Sequence, residues 1–198
     1  MTARPDISDS LIHFTRGADW GEALAKLIEI SNSGVILGGN GFIKGGYRCV
    51  CLTEAPLPAV ADQLLNDGSF TRYSPFGILL PKKHIFDHGG RPVIYQTDDE
   101  FEQLREAARW RHVRYEPTAE PPIDFTWERE WRVQCAALPI SPAEAVLVLP
   151  DSEWLNHFQA AWNADQEIEL ESYTTILDHL VLEQMKQPFP WRVVCLTQ

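Results

Sequence analysis

Residues 124–134 alternate acidic, basic and aromatic side chains, Asp-Phe-Thr-Trp-Glu-Arg-Glu-Trp-Arg-Val-Gln. Because successive side chains of a β-strand point to opposite faces, an extended segment places Glu128, Glu130 and Arg132 on one face. The other face then carries the anchoring side chains Trp127, Arg129, Trp131 and Val133. A carboxylate beside an apolar layer is costly to bury unless it is paired or takes part in chemistry. Glu130, held in fixed geometry by a strand, is therefore the first candidate for a catalytic acid.

The same segment has a second interpretation, an exposed ladder of charges on a half-solvated strand. Individual surface ion pairs contribute little to stability, so such a ladder needs no catalytic purpose. Both interpretations fit residues 124–134 taken alone. The rest of the chain has to distinguish them.

A histidine and a threonine lie two residues apart in the opening segment, residues 10–15, Ser-Leu-Ile-His-Phe-Thr. Hydrophobic alternation predicts a short strand here. Its two faces carry Ile12 and Phe14 on one side and Leu11, His13 and Thr15 on the other. A His-x-Thr pair can hold a sugar hydroxyl or an amide through directional hydrogen bonds. The alternative is that His13 is a structural residue whose hydrogen bonds are satisfied within the fold.

Hydrophobic periodicity predicts the remaining elements. Residues 20–31 repeat apolar side chains at helical spacing, with Asp19 as the N-cap and Gly34 as the closing residue. Further strands are predicted at 47–53, 76–80, 92–95, 125–136, 145–149 and 188–196, and further helices at 59–65, 98–111, 152–163 and 174–184. Residues 35–46, rich in glycine, and residues 81–90 are predicted to be loops or turns. Segregated helices without regular βαβ spacing predict an α+β fold with a mixed, mostly antiparallel sheet and flanking helices.

Length and charge limit the classes of partner. The 198 residues fit a single domain, with a core of about residues 11–149 and C-terminal helices and a last strand in 150–198. The net charge of −11, from 28 acidic and 17 basic residues, repels phosphate backbones, so nucleic acid is disfavoured as a partner. The basic residues between 105 and 114 are expected on a solvated helix face, with a local basic groove as the alternative. Without a signal peptide or a run of ~20 apolar residues, we expect a cytoplasmic protein that does not bind membranes.

Cysteine and histidine spacing predicts no metal site. Four cysteines are expected to be reduced core residues on strands: Cys49, Cys51, Cys135 and Cys195. Cys49 and Cys51 form a C-x-C pair that no second C-x-x-C or His-x-x-x-His accompanies. His84 and His88 are four residues apart, but Gly-Gly follows them and a turn is expected.

The opening Leu-Ile-His-Phe-Thr, followed by an amphipathic helix and Gly34, resembles the start of DarT-like and other ADP-ribosyltransferases. In those enzymes the first strand offers a His, with a Thr, to NAD, and the catalytic glutamate lies on a later strand. The ordered set Ile-His-Phe-Thr, Cys-Leu-Thr-Glu-Ala-Pro-Leu, Tyr-Ser-Pro-Phe-Gly-Ile and Glu-Arg-Glu-Trp-Arg also resembles the AbiGi-type abortive phage resistance family. This second resemblance covers about residues 11–149.

The resemblance implies an enzyme with an ADP-ribosyltransferase-like fold that consumes NAD as a substrate and needs no metal. Glu130 would be the catalytic residue, which hydrogen-bonds a ribose hydroxyl and stabilises the oxocarbenium-like charge as nicotinamide departs. His13 and Thr15 would position NAD. Tyr47 and Thr53, at either end of the second strand, are the nearest counterparts of the residue that supports the nicotinamide.

For two roles implied by the resemblance, binding of the pyrophosphate and the catalytic acid, the sequence offers alternative residues. Arg48 or Arg72 could neutralise the pyrophosphate, because a guanidinium binds it through two hydrogen bonds. Glu54 is a rival to Glu130 as the acid, since it ends a strand beside a turn. In that position it could equally accept backbone N–H groups.

Three functions are therefore open. The first is ADP-ribosyl transfer to a macromolecule, or NAD hydrolysis, in anti-phage defence or a toxin-antitoxin system. The second is a non-enzymatic module, an antitoxin or sensor on the same fold, whose acidic surface would suit a basic partner protein. The third is a structural domain that forms contacts through exposed tryptophans such as Trp154 and Trp162.

Overall fold

The computed structural model describes residues 7–57 and 74–197, which form short strands and helices. The strands, in chain order, are β1 Ser10–Phe14, β2 Val35–Leu37, β3 Cys49–Thr53, β4 Gly77–Pro81, β5 Arg91–Pro92, β6 Ile94–Gln96, β7 His112–Arg114, β8 Glu130–Gln134, β9 Ala137–Pro139, β10 Val146–Leu149 and β11 Arg192–Cys195. The α-helices are α1 Trp20–Ser33, α2 Lys82–Asp87, α3 Glu106–Arg109, α4 Ser152–Glu171 and α5 His179–Met185. Short 3₁₀ turns cover Asp99–Gln103 and Thr126–Glu128.

A seven-stranded sheet runs through the described residues in the order β11-β10-β4-β1-β3-β8-β5. Its neighbouring strands are antiparallel except for β10 and β11, which are parallel. Two smaller sheets pair β2 with β9 in antiparallel fashion and β6 with β7 in parallel fashion. The prediction of an α+β fold with a mixed, mostly antiparallel sheet and flanking helices is therefore confirmed.

Helix α1 begins and closes at the residues that the sequence predicts. The Asp19 carboxylate accepts the backbone N–H of Glu22 at 2.8 Å and so satisfies a donor of the first turn. Gly34 adopts a left-handed φ of 66°, and its N–H donates to the Ile30 carbonyl at 2.9 Å. Leu24 and Leu27 are buried on one side of the helix. The apolar residues predicted from their helical spacing therefore form the face of α1 that packs on the sheet.

One face of the large sheet carries a continuous core. Its buried apolar side chains alternate along the strands: Leu11, Val50, Leu52, Ile78, Leu80, Val133, Leu147 and Leu149. Leu27 of α1 and Phe158 of α4 pack into the same cluster, so these two helices cover this face. Burial of such side chains is the main source of the stability of the fold.

The opposite face carries two separate apolar groups among the described residues. One group contains Ile12, Phe14, Ala55 and Val148. The other contains Ile43, Cys49 and Trp110. The register aligns Thr53 with both Ile12 and Glu130, so these three side chains point to this face. Glu130 and Thr53 therefore lie on the face where apolar side chains do not form one cluster.

The predicted helix at residues 98–111 is wrong. The chain forms a 3₁₀ turn and then helix α3, and between them Leu104 and Arg105 are extended, with ψ of 138° and 140°. Phe101 and Trp110 are both buried. A continuous helix would place these two positions on opposite sides, so the break lets both rings pack inward. The basic residues of this segment consequently do not share one helix face.

Residues 81–90 contain helix α2 rather than only the predicted turn. Ile85 is fully buried in the core and anchors this helix. The rings of His84 and His88 stack with 4.2 Å between their centroids. His84 Nδ1 lies 3.3 Å from a carboxylate oxygen of Glu144, and His88 Nδ1 lies 2.8 Å from the His84 carbonyl.

Two predicted boundaries change because of backbone pairing. The predicted strand at 92–95 is divided between β5 and β6, since the Val93 N–H donates to the Glu130 carbonyl at 3.0 Å while β6 turns to pair with β7. The glycine-rich residues 35–46 are not entirely a loop. They begin with strand β2, and Gly39 forms an isolated bridge with Cys49.

The C-terminal residues differ in extent from the prediction. Helix α4 continues to Glu171, and α5 begins only at His179. Trp154 and Trp162 are partly buried, so the prediction of exposed tryptophan contacts is wrong. Trp154 meets the Phe76 ring edge to face at 5.1 Å, and Trp162 meets the Phe189 ring at 5.9 Å.

Two sequence predictions, the helix at residues 59–65 and the role of Arg72, lie outside the described residues. Within residues 7–57 and 74–197, no helix combines the length and the apolar character needed to cross a bilayer. The four cysteines are free thiols, but only Cys49 is buried and Cys135 follows the end of β8, so the expectation of four core residues on strands is wrong in part.

Candidate functional site

Glu130 is the first residue of β8 and directly follows a tight turn. The turn consists of Thr126–Glu128 and of Arg129, which has a left-handed φ of 44°. The Thr53 hydroxyl donates to the carbonyl of the last 3₁₀ residue, and the Glu54 N–H donates to the Arg129 carbonyl. These bonds tie the turn to the end of β3. The predicted strand at 125–136 is therefore too long at its start.

Glu130 forms a buried ion pair with Arg132, which lies two residues along the same face of β8. Arg132 Nε is 2.8 Å from one carboxylate oxygen, and Nη2 is 3.2 Å from the other. The Arg132 side chain is 5% exposed and that of Glu130 is 13% exposed. Arg132 Nη1 also donates to the carbonyls of Trp110 and His112, both at 2.9 Å. The two-point contact fixes the orientation of the Glu130 carboxylate.

Polar groups from two other segments approach Glu130. The Tyr95 hydroxyl accepts the Glu130 N–H and donates to the Phe125 carbonyl, both at 3.2 Å. Burial raises the pKa of Tyr95 to about 12, so this hydroxyl keeps its proton. Burial, and next the charge of Glu130, raise the pKa of the Cys51 thiol. A protonated thiol beside the carboxylate can donate a weak hydrogen bond to it.

His13 lies where β1 and β3 separate. Among the described residues these strands share one ladder pair, Ile12 with Thr53. Two residues along β3, the Cys51 carbonyl lies 2.8 Å from His13 Nδ1. The imidazole therefore supplies a hydrogen bond at a position where the neighbouring strand has moved away.

The Cys51 carbonyl fixes the tautomer of His13. A carbonyl only accepts, so Nδ1 carries the proton, and Nε2 of the neutral ring is an acceptor. Burial, the largest effect, and the charge of Arg16 lower the pKa of His13, against an opposing effect of the Cys51 carbonyl. The ring is accordingly neutral at physiological pH.

His13 and Glu130 flank the same residue from different sides. Along β1, His13 alternates with Ile12, and Ile12 shares a face with Thr53 and Glu130. His13 is therefore directed to the other face by the strand, yet its ring reaches the Cys51 carbonyl while Glu130 interacts with the Cys51 thiol. The two candidates therefore approach Cys51 from opposite faces of the sheet and do not form one cleft.

The other predicted NAD-binding residues are placed differently. The Thr15 hydroxyl donates to the Ala23 carbonyl at 2.9 Å and also lies 3.3 Å from the Phe76 carbonyl, so it holds the start of α1. Tyr47 packs with the apolar group over β3. Arg48 is exposed at the beginning of that strand.

The rival acid Glu54 belongs to a second cluster. Its carboxylate accepts from Lys82 Nζ at 2.5 Å and from the Trp131 indole N–H at 2.7 Å. Trp131 alternates with Glu130, so this cluster lies on the opposite face of β8. Glu54 is 18% exposed and Lys82 is 23% exposed. The Glu54 carboxylate therefore binds two side chains rather than the backbone N–H groups that the sequence suggested.

Sequence reasoning identified part of this arrangement. The alternation along 124–134 indicates that Arg132 shares a face with Glu130, although it does not indicate that the two pair. Tyr95 and the Lys82 partner of Glu54 were missed, because they come from segments far away in the chain and carry no motif. Their positions depend on strand pairing, which a single sequence does not specify.

The His13 bond predicts a pH dependence that can be measured. In a His13→Asn variant the amide N–H can take the place of Nδ1. Because the folded pKa is lowered, wild-type stability is fully present above the ordinary value of 6.5 and is lost as pH falls, since the unfolded chain binds the proton more readily. We expect the free energy of unfolding of the wild type to drop by about 1 kcal/mol more than that of the variant between about pH 7.5 and about pH 5.5, measured by urea denaturation. Equal losses in the two proteins would contradict a neutral, partly buried His13.

The Glu130 site offers an oriented carboxylate on the face of the sheet opposite to His13. Arg132 and Cys51 occupy part of the acceptor capacity of the carboxylate, which has about four lone-pair positions. A positioned carboxylate of this kind can accept a hydroxyl proton in a hydrogen bond and stabilise a developing positive charge.

The chain matches no protein-family model, no curated protein and no solved structure. The resemblance to DarT-like and AbiGi-type proteins therefore rests on the sequence motifs, and the family of the chain stays a proposal.

Proposed function

We propose that this protein is an NAD-consuming enzyme of the ADP-ribosyltransferase type, which transfers ADP-ribose to a macromolecule or hydrolyses NAD. The observation that carries the proposal is the strand order β1-β3-β8, which makes neighbours of the strands bearing His13, Thr53 and Glu130. Thr53 is the register partner of Glu130. The three motifs that suggest the activity, far apart in the chain, thus lie on adjacent strands, with Thr53 and Glu130 on one face and His13 on the other.

In the proposed reaction the bond between ribose C1′ and the nicotinamide nitrogen breaks, and its electron pair leaves with nicotinamide. Positive charge develops on the ribose ring, and Glu130 stabilises it while accepting a hydrogen bond from a ribose hydroxyl. Water or a nucleophile of the acceptor then forms the new bond to C1′ and loses a proton. His13 projects from the other face of the sheet, so this step is assigned to Glu130 without it.

The other candidate residues, Tyr47, Thr53, Arg48 and Thr15, have different roles in this proposal. The Thr53 hydroxyl already donates a hydrogen bond to the Glu128 carbonyl. Tyr47 instead packs beside β3. Tyr47 is therefore preferred for contact with the nicotinamide. Arg48 is exposed and suits the pyrophosphate. Thr15 would contribute by holding α1 rather than by binding NAD.

The biological setting proposed is anti-phage defence or a toxin-antitoxin system, in the cytoplasm. The net charge of −11 disfavours nucleic acid as the acceptor and favours a protein.

A binding module without turnover is the second candidate, and a specific observation favours it. Arg132 is almost fully buried, and its bonds to Glu130, Trp110 and His112 form a structural network. In this second candidate function Glu130 neutralises the charge of Arg132 and binds no substrate.

The test is nicotinamide release from NAD by the purified protein, with and without cell lysate or nucleic acid. Release by the wild type that disappears in Glu130→Gln supports the enzyme. Absence of both release and NAD binding in a folded wild type would reject it and favour the module. Chromatographic quantification of nicotinamide and calorimetric titration with NAD supply the two readouts.

A further inference from the structure

The C-terminal helices expose an unusual amount of apolar surface. Three side chains of this region, Ile168, Ile176 and Leu180, are 69%, 77% and 72% exposed. Tyr173 and Val181 are also exposed. Of these side chains, Ile168 lines the groove between α4 and α5, and exposed apolar surface of this kind marks a candidate site of interaction.

A groove runs between α4 and α5 at this surface. Its volume is about 530 Å³, and its apolar lining comes from Ala164, Ile168 and Leu170 of α4 and from Leu182 of α5. Leu182 is buried and forms the floor, whereas Ile168 is open to solvent. An amphipathic helix can place its apolar side chains against the apolar lining of a groove between two helices.

The rim of the groove is acidic. Glu167, Glu171 and Glu183 line it, and the one cation among the lining residues, Lys186, is already paired with Glu167 and Glu183 at 3.7 and 2.9 Å. Helix α4 contains five acidic residues and neither Lys nor Arg. The surface around the apolar lining is therefore negative.

The acidic residues stand at the unfavourable end of α4. The C-terminus of a helix carries unpaired carbonyls and a partial negative charge, so Glu167, Glu169 and Glu171 near that end destabilise the helix. A cation placed here would offset both the carboxylates and the helix dipole. Local arrangements that oppose helix stability are expected where a surface serves binding.

We propose that the groove between α4 and α5 binds a basic amphipathic segment of a partner protein. The apolar face of the segment packs on Ile168 and Leu182, and its Lys or Arg side chains meet Glu167, Glu171 and Glu183. A second copy of this chain is the poorer occupant. A two-fold contact would bring the same acidic rims of two molecules, each of charge −11, against one another.

This surface is separate from Glu130. Helix α4 packs on β10 and α1, and β8 lies four strands from β10 in the large sheet. At about 4.8 Å per strand the separation is roughly 19 Å. The proposal therefore holds whether or not the protein consumes NAD.

The experiment uses the full chain and a fluorescent helical peptide of about 18 residues, with leucines on one face and lysines on the other. Two control peptides are a scrambled form without an apolar face and a form with Lys replaced by Glu. Fluorescence anisotropy gives Kd at about 50 mM and about 150 mM salt. Sedimentation velocity of the protein alone reports self-association.

Two pairs of variants locate the binding. Ile168→Ser is matched by Leu37→Ser, because both side chains are 69% exposed and Leu37 lies outside the groove. Glu167→Gln is matched by Glu102→Gln, since each carboxylate is exposed and pairs with one long cationic side chain. We expect Ile168→Ser to weaken binding at least about tenfold and Glu167→Gln about two- to fivefold, with the matched controls near wild type.

Three results would overturn the proposal. Equal binding of the scrambled peptide would show attraction by charge alone. Unchanged affinity in Ile168→Ser would remove the groove from the contact. Self-association of the wild type that Ile168→Ser abolishes would assign this face to a second copy of the chain.

Discussion

Replacing Arg132 with leucine is expected to lower the free energy of unfolding by about 3–5 kcal/mol. The Arg132 side chain is almost completely buried and donates to the Glu130 carboxylate and to two backbone carbonyls. Leucine fills part of the space but leaves a buried carboxylate and two carbonyls without their donor, which is costly in a low-dielectric interior. Urea denaturation monitored by tryptophan fluorescence measures the loss.

Arg114→Leu is the matched control for this variant. Arg114 also pairs with a nearby glutamate, at 2.6 Å, but 49% of its side chain is exposed, so its loss is expected to lower stability far less than the loss of Arg132. The double variant Glu130→Leu/Arg132→Leu should recover part of the loss, because the unpaired carboxylate is gone. A decrease of under about 1 kcal/mol for Arg132→Leu alone would mean that water reaches this pair.

Glu130→Gln is expected to reduce nicotinamide release at least about 100-fold, if the protein is the proposed enzyme. The amide keeps the shape of the side chain but loses the negative charge that stabilises the ribose cation. Glu54→Gln provides a close comparison, since Glu54 is also a partly buried carboxylate held by one cation and one further donor. We expect Glu54→Gln to keep release within a few-fold of wild type.

Stability measurements on the two variants separate chemistry from folding. Both substitutions weaken a partly buried ion pair, so both should lower the unfolding midpoint. A selective loss of release in Glu130→Gln at similar stability assigns the chemistry to Glu130. The reverse pattern, with release lost in Glu54→Gln and kept in Glu130→Gln, would move the active site to the cluster with Lys82 and Trp131.

Local signals in the sequence were sufficient for elements that depend on local physics. Asp19 and Gly34 bracket α1 because an N-cap carboxylate and a left-handed glycine satisfy the helix ends wherever the helix lies. Alternation identified the strand containing His13 and the shared face of Glu130 and Arg132. These patterns reflect the geometry of one helix or one strand.

Elements that depend on tertiary contacts could not be predicted from local sequence signals. The helix expected at residues 98–111 breaks, and the break allows both Phe101 and Trp110 to be buried. The turn before Glu130 exists because the Thr53 side chain binds it from another strand. The pairing of Glu54 with Lys82 and Trp131 likewise requires three distant segments to meet.

The separation of β1 from β3 has a mechanical consequence. Since these strands share only the pair of Ile12 and Thr53 among the described residues, the large sheet consists of two half-sheets joined along a short seam. A change of twist between the halves would disturb few backbone hydrogen bonds. The hydrogen bond from the His13 side chain to the Cys51 carbonyl also links the two halves. The apolar core on one face extends across both halves, so side-chain packing and this hydrogen bond, rather than a ladder of backbone bonds, join them.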